Sequence, residues 1–282
     1  MKRKTAGCPR LAGRAESNDV LVANVGNTRT RLARFGAAGR LLRCAVLSTD
    51  ALTSKVPDAR KLARSLRDES GARVAMRDLL GGSRPPTEAV IGSVVPRATA
   101  NLRRALAKMG LRVRVYNSKI PPGLTVRARG AGSDRVANAL AAHRRTGRGA
   151  YVVDAGTALT ISVVDRRGVF LGGAIAPGID MELRSLASGT ALLPQIEAEC
   201  RARALGADTV EAILAGCVAG TAARVEGLLA RMRRETGVRA PVFLTGGGAA
   251  VLSPLLRERH AVVPQLTLEG LYWAWRLANL RK

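Results

Sequence analysis

Three turns in this chain place glycine beside hydroxyl or amide groups: Asn24-Val25-Gly26-Asn27-Thr28, Asp154-Ala155-Gly156-Thr157-Ala158 and Thr245-Gly246-Gly247-Gly248. Each follows an apolar run that reads as a strand. A glycine there lets a ligand come close to the backbone, where a side chain would block it. Successive backbone N–H groups, with the hydroxyls of Thr28 and Thr157, can then hold phosphate oxygens. One such turn is also an ordinary connector. Two in matching positions of two halves point to a nucleotide clamped between lobes. Gly246 and Gly247 precede an apparent helix from Ala249 to Leu256, which suits a nucleoside or a phosphate, and equally a plain strand-to-helix turn. Two carboxylates stand nearby in the pattern. Asp134 opens a helix, where capping and the helix dipole alone account for an aspartate. Asp154 ends a strand beside a glycine, where its charge costs desolvation unless something pairs with it. Taken singly, Arg135 reads as a surface arginine and Thr209 as an N-terminal helix residue.

The elements that must position these residues alternate strand and helix. Val20–Ala23 and Leu32–Phe35 read as a hairpin around the first turn. Ala89–Val95 reads as a strand running into a loop at Pro96, and Arg112–Tyr116 as another strand. Pro57–Arg67 and Asn101–Met109 have helical spacing. Pro121-Pro122-Gly123 breaks the chain, and Gly130-Ala131-Gly132-Ser133 leads into a helix from Asp134 to about His143. The pattern then restarts with strands Tyr151–Asp154, Leu159–Val164 and Val169–Leu171. A long amphipathic helix, Val210–Glu235, a strand, Val242–Thr245, and a last helix, Leu268–Leu280, follow. Strands alternating with helices predict mixed α/β layers.

Composition narrows the class. A chain of 282 residues that is 47% hydrophobic is long enough and apolar enough for one large core or two smaller ones. The basic, polar residues 1–18 lack the apolar stretch of a secretory signal and read as a disordered extension. No apolar run approaches the ~20 residues of a membrane span, so a cytoplasmic protein is expected. Cys8, Cys44, Cys200 and Cys217 form no Cys-x-x-Cys pair, which argues against zinc or a disulfide framework. The net charge of +25 raises nucleic acid as a partner, but the charge is mostly arginine scattered over helix faces, such as Arg231, Arg233 and Arg234, and aromatics are only 3%. That leaves non-specific nucleic-acid contact at most, and a field that draws anionic substrates.

The order of Asn24-x-Gly26-Asn27-Thr28, Gly132-Ser133-Asp134-Arg135, Asp154-Ala155-Gly156-Thr157-Ala158, Gly173-Ala174-Ile175-Ala176-Pro177-Gly178 and Thr245-Gly246-Gly247 resembles the type III pantothenate kinase family, over about residues 20–280. Thr190-Ala191-Leu192-Leu193-Pro194 and Asp208-Thr209 also fit. The resemblance implies the acetate and sugar kinase/Hsp70/actin fold: two ribonuclease-H-like α/β domains around a nucleotide cleft, in a homodimer. The domains would be 19–146 and 147–282, with the last helix able to pack back on the first. It implies phosphorylation of pantothenate by ATP with Mg²⁺, the first step of coenzyme A biosynthesis. Asn24, Val25, Gly26, Asn27, Thr28, Arg29, Thr30 and Arg31 would form the first phosphate loop, with Thr157, Gly246 and Gly247 also on ATP. Gly132, Ser133, Asp134 and Arg135 would contact pantothenate, with Asp134 as proton acceptor and Thr209 reaching in across the dimer. Asp154 would help hold a monovalent cation, potassium or ammonium. Two positions depart from the pattern. Asn24 stands where the family has aspartate, keeping one carbonyl oxygen but losing the charge. Thr125 stands where the family often has a substrate-lining tyrosine. These departures define an alternative: a catalytically impaired homologue that binds nucleotide and regulates.

Overall fold

The computed structural model describes residues 19–53, 62, 64–68, 70–82, 85–116 and 123–280. The expected extension 1–18 with Cys8, much of the expected helix from Pro57, and Pro121 and Pro122 lie outside these residues. The described chain runs β1 (Val20–Val25), β2 (Arg29–Phe35), β3 (Leu41–Ser48), α1 (Asp50–Thr53), α2 (Met76–Leu80), β4 (Glu88–Ser93), α3 (Pro96–Lys108), β5 (Arg112–Tyr116), β6 (Thr125–Val126) and α4 (Ser133–Thr146). It continues through β7 (Ala150–Ala155), β8 (Ala158–Val164), β9 (Val169–Pro177), α5 (Ile179–Gly189), α6 (Thr209–Leu214), a π turn (Ala215–Ala219) and α7 (Gly220–Thr236). β10 (Val242–Thr245), α8 (Ala249–Leu252), a 3₁₀ turn (Ser253–Leu255), β11 (His260–Val262) and α9 (Leu266–Leu280) complete it.

The strands form two sheets of the same design. The first has the order β3-β2-β1-β4-β5, and the second β11-β10-β7-β8-β9-β6. Read from β9, the second repeats the first, with β6 added at its edge. In both, an antiparallel hairpin is joined by a parallel strand, β4 beside β1 and β10 beside β7. The matching turns in the sequence are therefore the tips of equivalent hairpins. Asn24 and Asp154 occupy the same place, each fifth in a strand of six residues.

Alternation along the strands decides what each face touches. Leu21, Ala23 and Val25 of β1 pack outward with Ala98, Leu102 and Leu106 of α3. Tyr151, Val153 and Ala155 of β7 pack outward with Val225 and Leu229 of α7. The inner faces meet two helices lying between the sheets. Val20, Val22, Ala33, Phe35 and Val90 are buried against Leu268, Leu271, Tyr272 and Trp275 of α9. Ala150, Val152, Val164 and Phe170 are buried against Val136, Ala139 and Ala142 of α4. The C-terminal helix thus covers the N-terminal sheet, while the helix following the first sheet covers the second. The two helices cross closely: a Cβ on Gly270 would stand 1.9 Å from the Ala137 carbonyl oxygen. Each fully buried Val, Leu or Phe in this layer contributes about 1.5–3 kcal/mol.

Several elements differ from the sequence reading. Pro96 is the first residue of α3 rather than part of a loop; its missing N–H is harmless in a first turn. The strand expected at Val169–Leu171 continues through Gly172 and Gly173 to Pro177, with a register shift opposite Val163 and Val164. The long helix runs without a gap from Thr209 to Thr236 and contains the π turn. By length and composition that run could cross a membrane, an 18-residue stretch of it having a mean hydropathy of 1.4; Val218, Val225 and Leu229 are nonetheless fully buried in the core of the second lobe. The helix expected over Ala249–Leu256 ends at Leu252 and tightens into the 3₁₀ turn containing Pro254.

Candidate active site

The cleft between the lobes is closed at one point by the two hairpin tips. Thr28 Oγ1 and Thr157 Oγ1 lie 2.9 Å apart, exposed at the surface. The first tip is shaped by the Gly26 N–H donating to the Arg29 carbonyl at 3.1 Å. It is braced from β3: Thr49 Oγ1 donates to the Gly26 carbonyl at 2.7 Å, and the Thr49 N–H donates to the Thr28 carbonyl at 3.0 Å. The second tip is held by the Gly156 N–H donating to the Ala158 carbonyl, 3.2 Å. Gly178 seats the start of α5 against it. The Gly178 N–H donates to the Thr157 carbonyl at 3.1 Å, and a Cβ there would meet the Gly156 carbonyl oxygen at 2.2 Å.

Behind the tips lie the carboxylates. Asp154 shares the inner face of its sheet with Ala150 and Val152, and so looks toward α4 and α9. Asn138 of α4 donates Nδ2–H to Asp154 Oδ2 at 2.9 Å, and Thr267 of α9 donates Oγ1–H to Asn138 Oδ1 at 2.7 Å. Asp154 is thus tied to both central helices. Burial pushes its pKa up to about 6; the Asn138 hydrogen bond opposes this, the Asp134 charge adds to it, and Arg31 opposes it. Asp134, Asp154 and Arg31 thus share one electrostatic neighbourhood. Arg31 pairs with Asn24 across the hairpin, and its Nε is buried without a hydrogen-bond partner among the described residues. The third glycine turn closes on the same place. Gly246 has φ +94°, and a Cβ on it would stand 2.5 Å from both Asp154 Oδ1 and the Ala155 carbonyl oxygen. A Cβ on Gly247 would stand 3.9 Å from Arg29 Nη1.

Asp134 sits in the first turn of α4, with Oδ1 accepting the Arg135 N–H at 2.8 Å. Gly132 caps that helix, and Ser133 Oγ donates to the Ser93 carbonyl at 3.2 Å, tying the helix start to the end of β4. Arg135 is not the surface arginine its isolated position implies. It is half-buried over the Phe170 ring, 5.6 Å from the centroid, and Nε donates to Ser162 Oγ at 3.3 Å. Burial holds its pKa below the usual arginine range, with the Asp134 charge opposing. Thr30 is buried and bonds Thr49, at 3.0 Å. Thr209 is exposed at the start of α6, capped by Asp208, and no hydrogen bond or ion pair joins it to the other candidates among the described residues. Thr125 is exposed in β6, paired with Val169.

The sequence reading missed Asn138, Thr267, Thr49 and Ser162. Asn138 carried the one usable signal, a polar residue in the alanine-rich run Val136–Ala142 and one turn after Asp134.

A family model for type III pantothenate kinase matches residues 20–231. The type III pantothenate kinase of Thermomicrobium roseum is 36% identical over 261 residues, covering 91% of this chain and 96% of that protein. Its counterpart in Moorella thermoacetica is 34% identical, covering 89% and 96%. This chain belongs to the type III pantothenate kinase family. Among solved structures, the ethanolamine utilization protein EutJ of Carboxydothermus hydrogenoformans aligns with a TM-score of 0.56 at 17% identity, covering 93% of this chain and 91% of that one. Component A of the (R)-2-hydroxyglutaryl-CoA dehydratase of Acidaminococcus fermentans aligns at 0.51 and 13%, covering 93% and 100%. At such identities the likeness is one of fold, the two-lobed acetate and sugar kinase/Hsp70/actin architecture. The alternative of an impaired, regulatory type III pantothenate kinase homologue finds no support in these comparisons.

The donor set suits magnesium with a polyphosphate. Among the described residues no three His, Cys, Asp or Glu side chains cluster as a metal cage. Magnesium commonly keeps its waters and relies on one or two carboxylates plus substrate phosphates. Here the two hydroxyls meet at the hairpin tips, the two carboxylates influence one another, and the buried Arg31 Nε near Asp154 has no hydrogen-bond partner among the described residues.

Proposed function

We propose that this chain transfers the γ-phosphoryl group of ATP to the primary hydroxyl of pantothenate, giving phosphopantothenate at the entry to coenzyme A biosynthesis. Family membership supports the substrate pair. The observation that carries the mechanism is the meeting of Thr28 and Thr157 in front of Asp134 and Asp154. Phosphoryl transfer asks chiefly for positioning and charge stabilisation. In this reading the tip from Asn24 to Arg31, with Thr157, Gly246 and Gly247, holds the phosphates. Asp134 accepts the hydroxyl proton as the oxygen attacks the γ-phosphorus and ADP leaves, a general-base role. Arg135, buried on one side by Phe170, turns its remaining donors to the substrate carboxylate. Magnesium, when bound with ATP, neutralises phosphate charge. Asp154 holds a monovalent cation, potassium or ammonium; Oδ2 is committed to Asn138, leaving Oδ1 toward Gly246. Gly132 and Ser133 place Asp134. Thr209 reaches the substrate of a second copy, so the working unit is a homodimer, in the cytoplasm. The test is formation of phosphopantothenate by purified protein given ATP, Mg²⁺, K⁺ and pantothenate. ATP turnover with no pantothenate-dependent product would overturn the reading.

A further inference from the structure

The second sheet has a concave feature at the edge away from the nucleotide cleft. A cavity of about 660 Å³ opens where β7, β10 and β11 begin, bordered by Arg148, Arg239, Arg259 and His260 over Pro241 and Phe243. That volume is typical of small-molecule sites. β7 and β10 start here, where the Tyr151 N–H donates to the Pro241 carbonyl at 2.9 Å, and end at Ala155 and Thr245, next to Asp154 and Gly246. The cavity is therefore separate from the phosphate turns.

Its charge is unbalanced. Glu258 is the one acidic residue at the wall, and Arg233 engages both its oxygens, at 2.8 and 2.9 Å. Arg148, Arg239 and Arg259 are exposed, and none of them is in an ion pair among the described residues. His260 is fixed as a wall: Nδ1 donates to the Glu258 carbonyl at 2.7 Å, and Nε2 lies 2.8 Å from Ser253 Oγ. Three exposed arginines thus line one cavity beside Pro241 and Phe243, and the one acidic residue there is already engaged by Arg233. Guanidinium pairs well with planar or phosphate anions through paired N–H donors.

We propose that this cavity binds a small phosphorylated molecule carrying two or more adjacent negative charges. The arginines take the charge, and Pro241 and Phe243 take an apolar portion. The proposal does not rest on pantothenate as substrate.

Isothermal titration with inorganic tripolyphosphate tests it, on protein whose cleft is saturated with Mg²⁺ and a non-hydrolysable ATP analogue. One binding event per chain is expected. Arg239→Glu and Arg259→Glu each weaken it by about tenfold or more, the scale of a lost charge-assisted contact. Arg103→Glu, an exposed arginine on α3, makes the same change in net charge and should shift affinity less than about twofold. Arg259→Gln, which only neutralises, should weaken binding in the same direction. Absence of binding by the wild-type chain would overturn the site. Equal weakening by Arg103→Glu would overturn it too, assigning the binding to the overall +25 field.

Discussion

Substitution of two adjacent glycines separates a requirement of the third turn from a general tolerance of the loop. At Gly246 the backbone has φ +94°, and an added Cβ would overlap Asp154 Oδ1 and the Ala155 carbonyl oxygen, each at 2.5 Å. At Gly247 the nearest group is Arg29 Nη1 at 3.9 Å, the end of a flexible side chain in ordinary contact. Forcing alanine into the left-handed region costs about 1–2 kcal/mol. Overpacking against backbone that cannot yield adds roughly 1–3 kcal/mol. Gly246→Ala should therefore destabilise by roughly 2–5 kcal/mol, and Gly247→Ala by less than about 0.5 kcal/mol. For a chain of this size the first corresponds to a Tm loss of roughly 2 °C or more per kcal/mol. Because the overlap pushes on the Asp154 carboxylate, Gly246→Ala should also weaken Mg·ATP binding, measured by titration well below its Tm, while Gly247→Ala leaves it within about twofold. Equal Tm values and equal nucleotide affinities for the two variants would show that the turn is not packed as described.

Asp134→Asn should lower turnover by about a hundredfold or more while ATP affinity stays nearly constant, read from kcat beside a direct nucleotide titration. Asp154, with its pKa raised to about 6, makes the folded chain bind more protons than the unfolded chain between the ordinary carboxylate range and that value. Its contribution therefore favours folding at low pH and is lost as pH rises through about 6. Urea unfolding at several pH values in potassium-free buffer should show that decline in the wild type and not in Asp154→Asn. Gly270→Ala places a Cβ 1.9 Å from the Ala137 carbonyl oxygen and should lower stability by about 1–3 kcal/mol or more, read by thermal unfolding.

What was legible in the sequence was local. A strand followed by glycine and threonine marks itself twice, at Asn24–Thr28 and Asp154–Ala158, and the equivalence of the two sheets follows from those marks. The family was legible in the order of several motifs along residues 20–280, and the two-domain fold followed from that resemblance. What was not legible depends on partners far along the chain. Thr267 bonds Asn138, and Thr49 bonds Gly26, across separations that no local pattern announces. The strand β3, Leu41–Ser48, alternates poorly because a register shift opposite Arg34 and Phe35 leaves both Leu42 and Arg43 exposed. Arg135 looked like any helix arginine until Phe170 and Ser162 closed over it. The continuation of β9 past Leu171 was hidden by Gly172 and Gly173, both at positive φ within the strand.

The placement of α9 has a consequence for how the molecule is made. Synthesis on the ribosome delivers β1 first and α9 last, yet Val20, Val22, Phe35 and Val90 find their cover only in Leu268, Leu271, Tyr272 and Trp275. Until α9 emerges, the first sheet can finish its outer face with α3 but must leave the inner face wet. The first lobe cannot mature until that closing helix has been made and docked. A nascent chain halted anywhere before Leu266 would carry an exposed apolar sheet face, a target for chaperones or proteases. The cleft that the two lobes enclose is thus assembled only from chains that include α9.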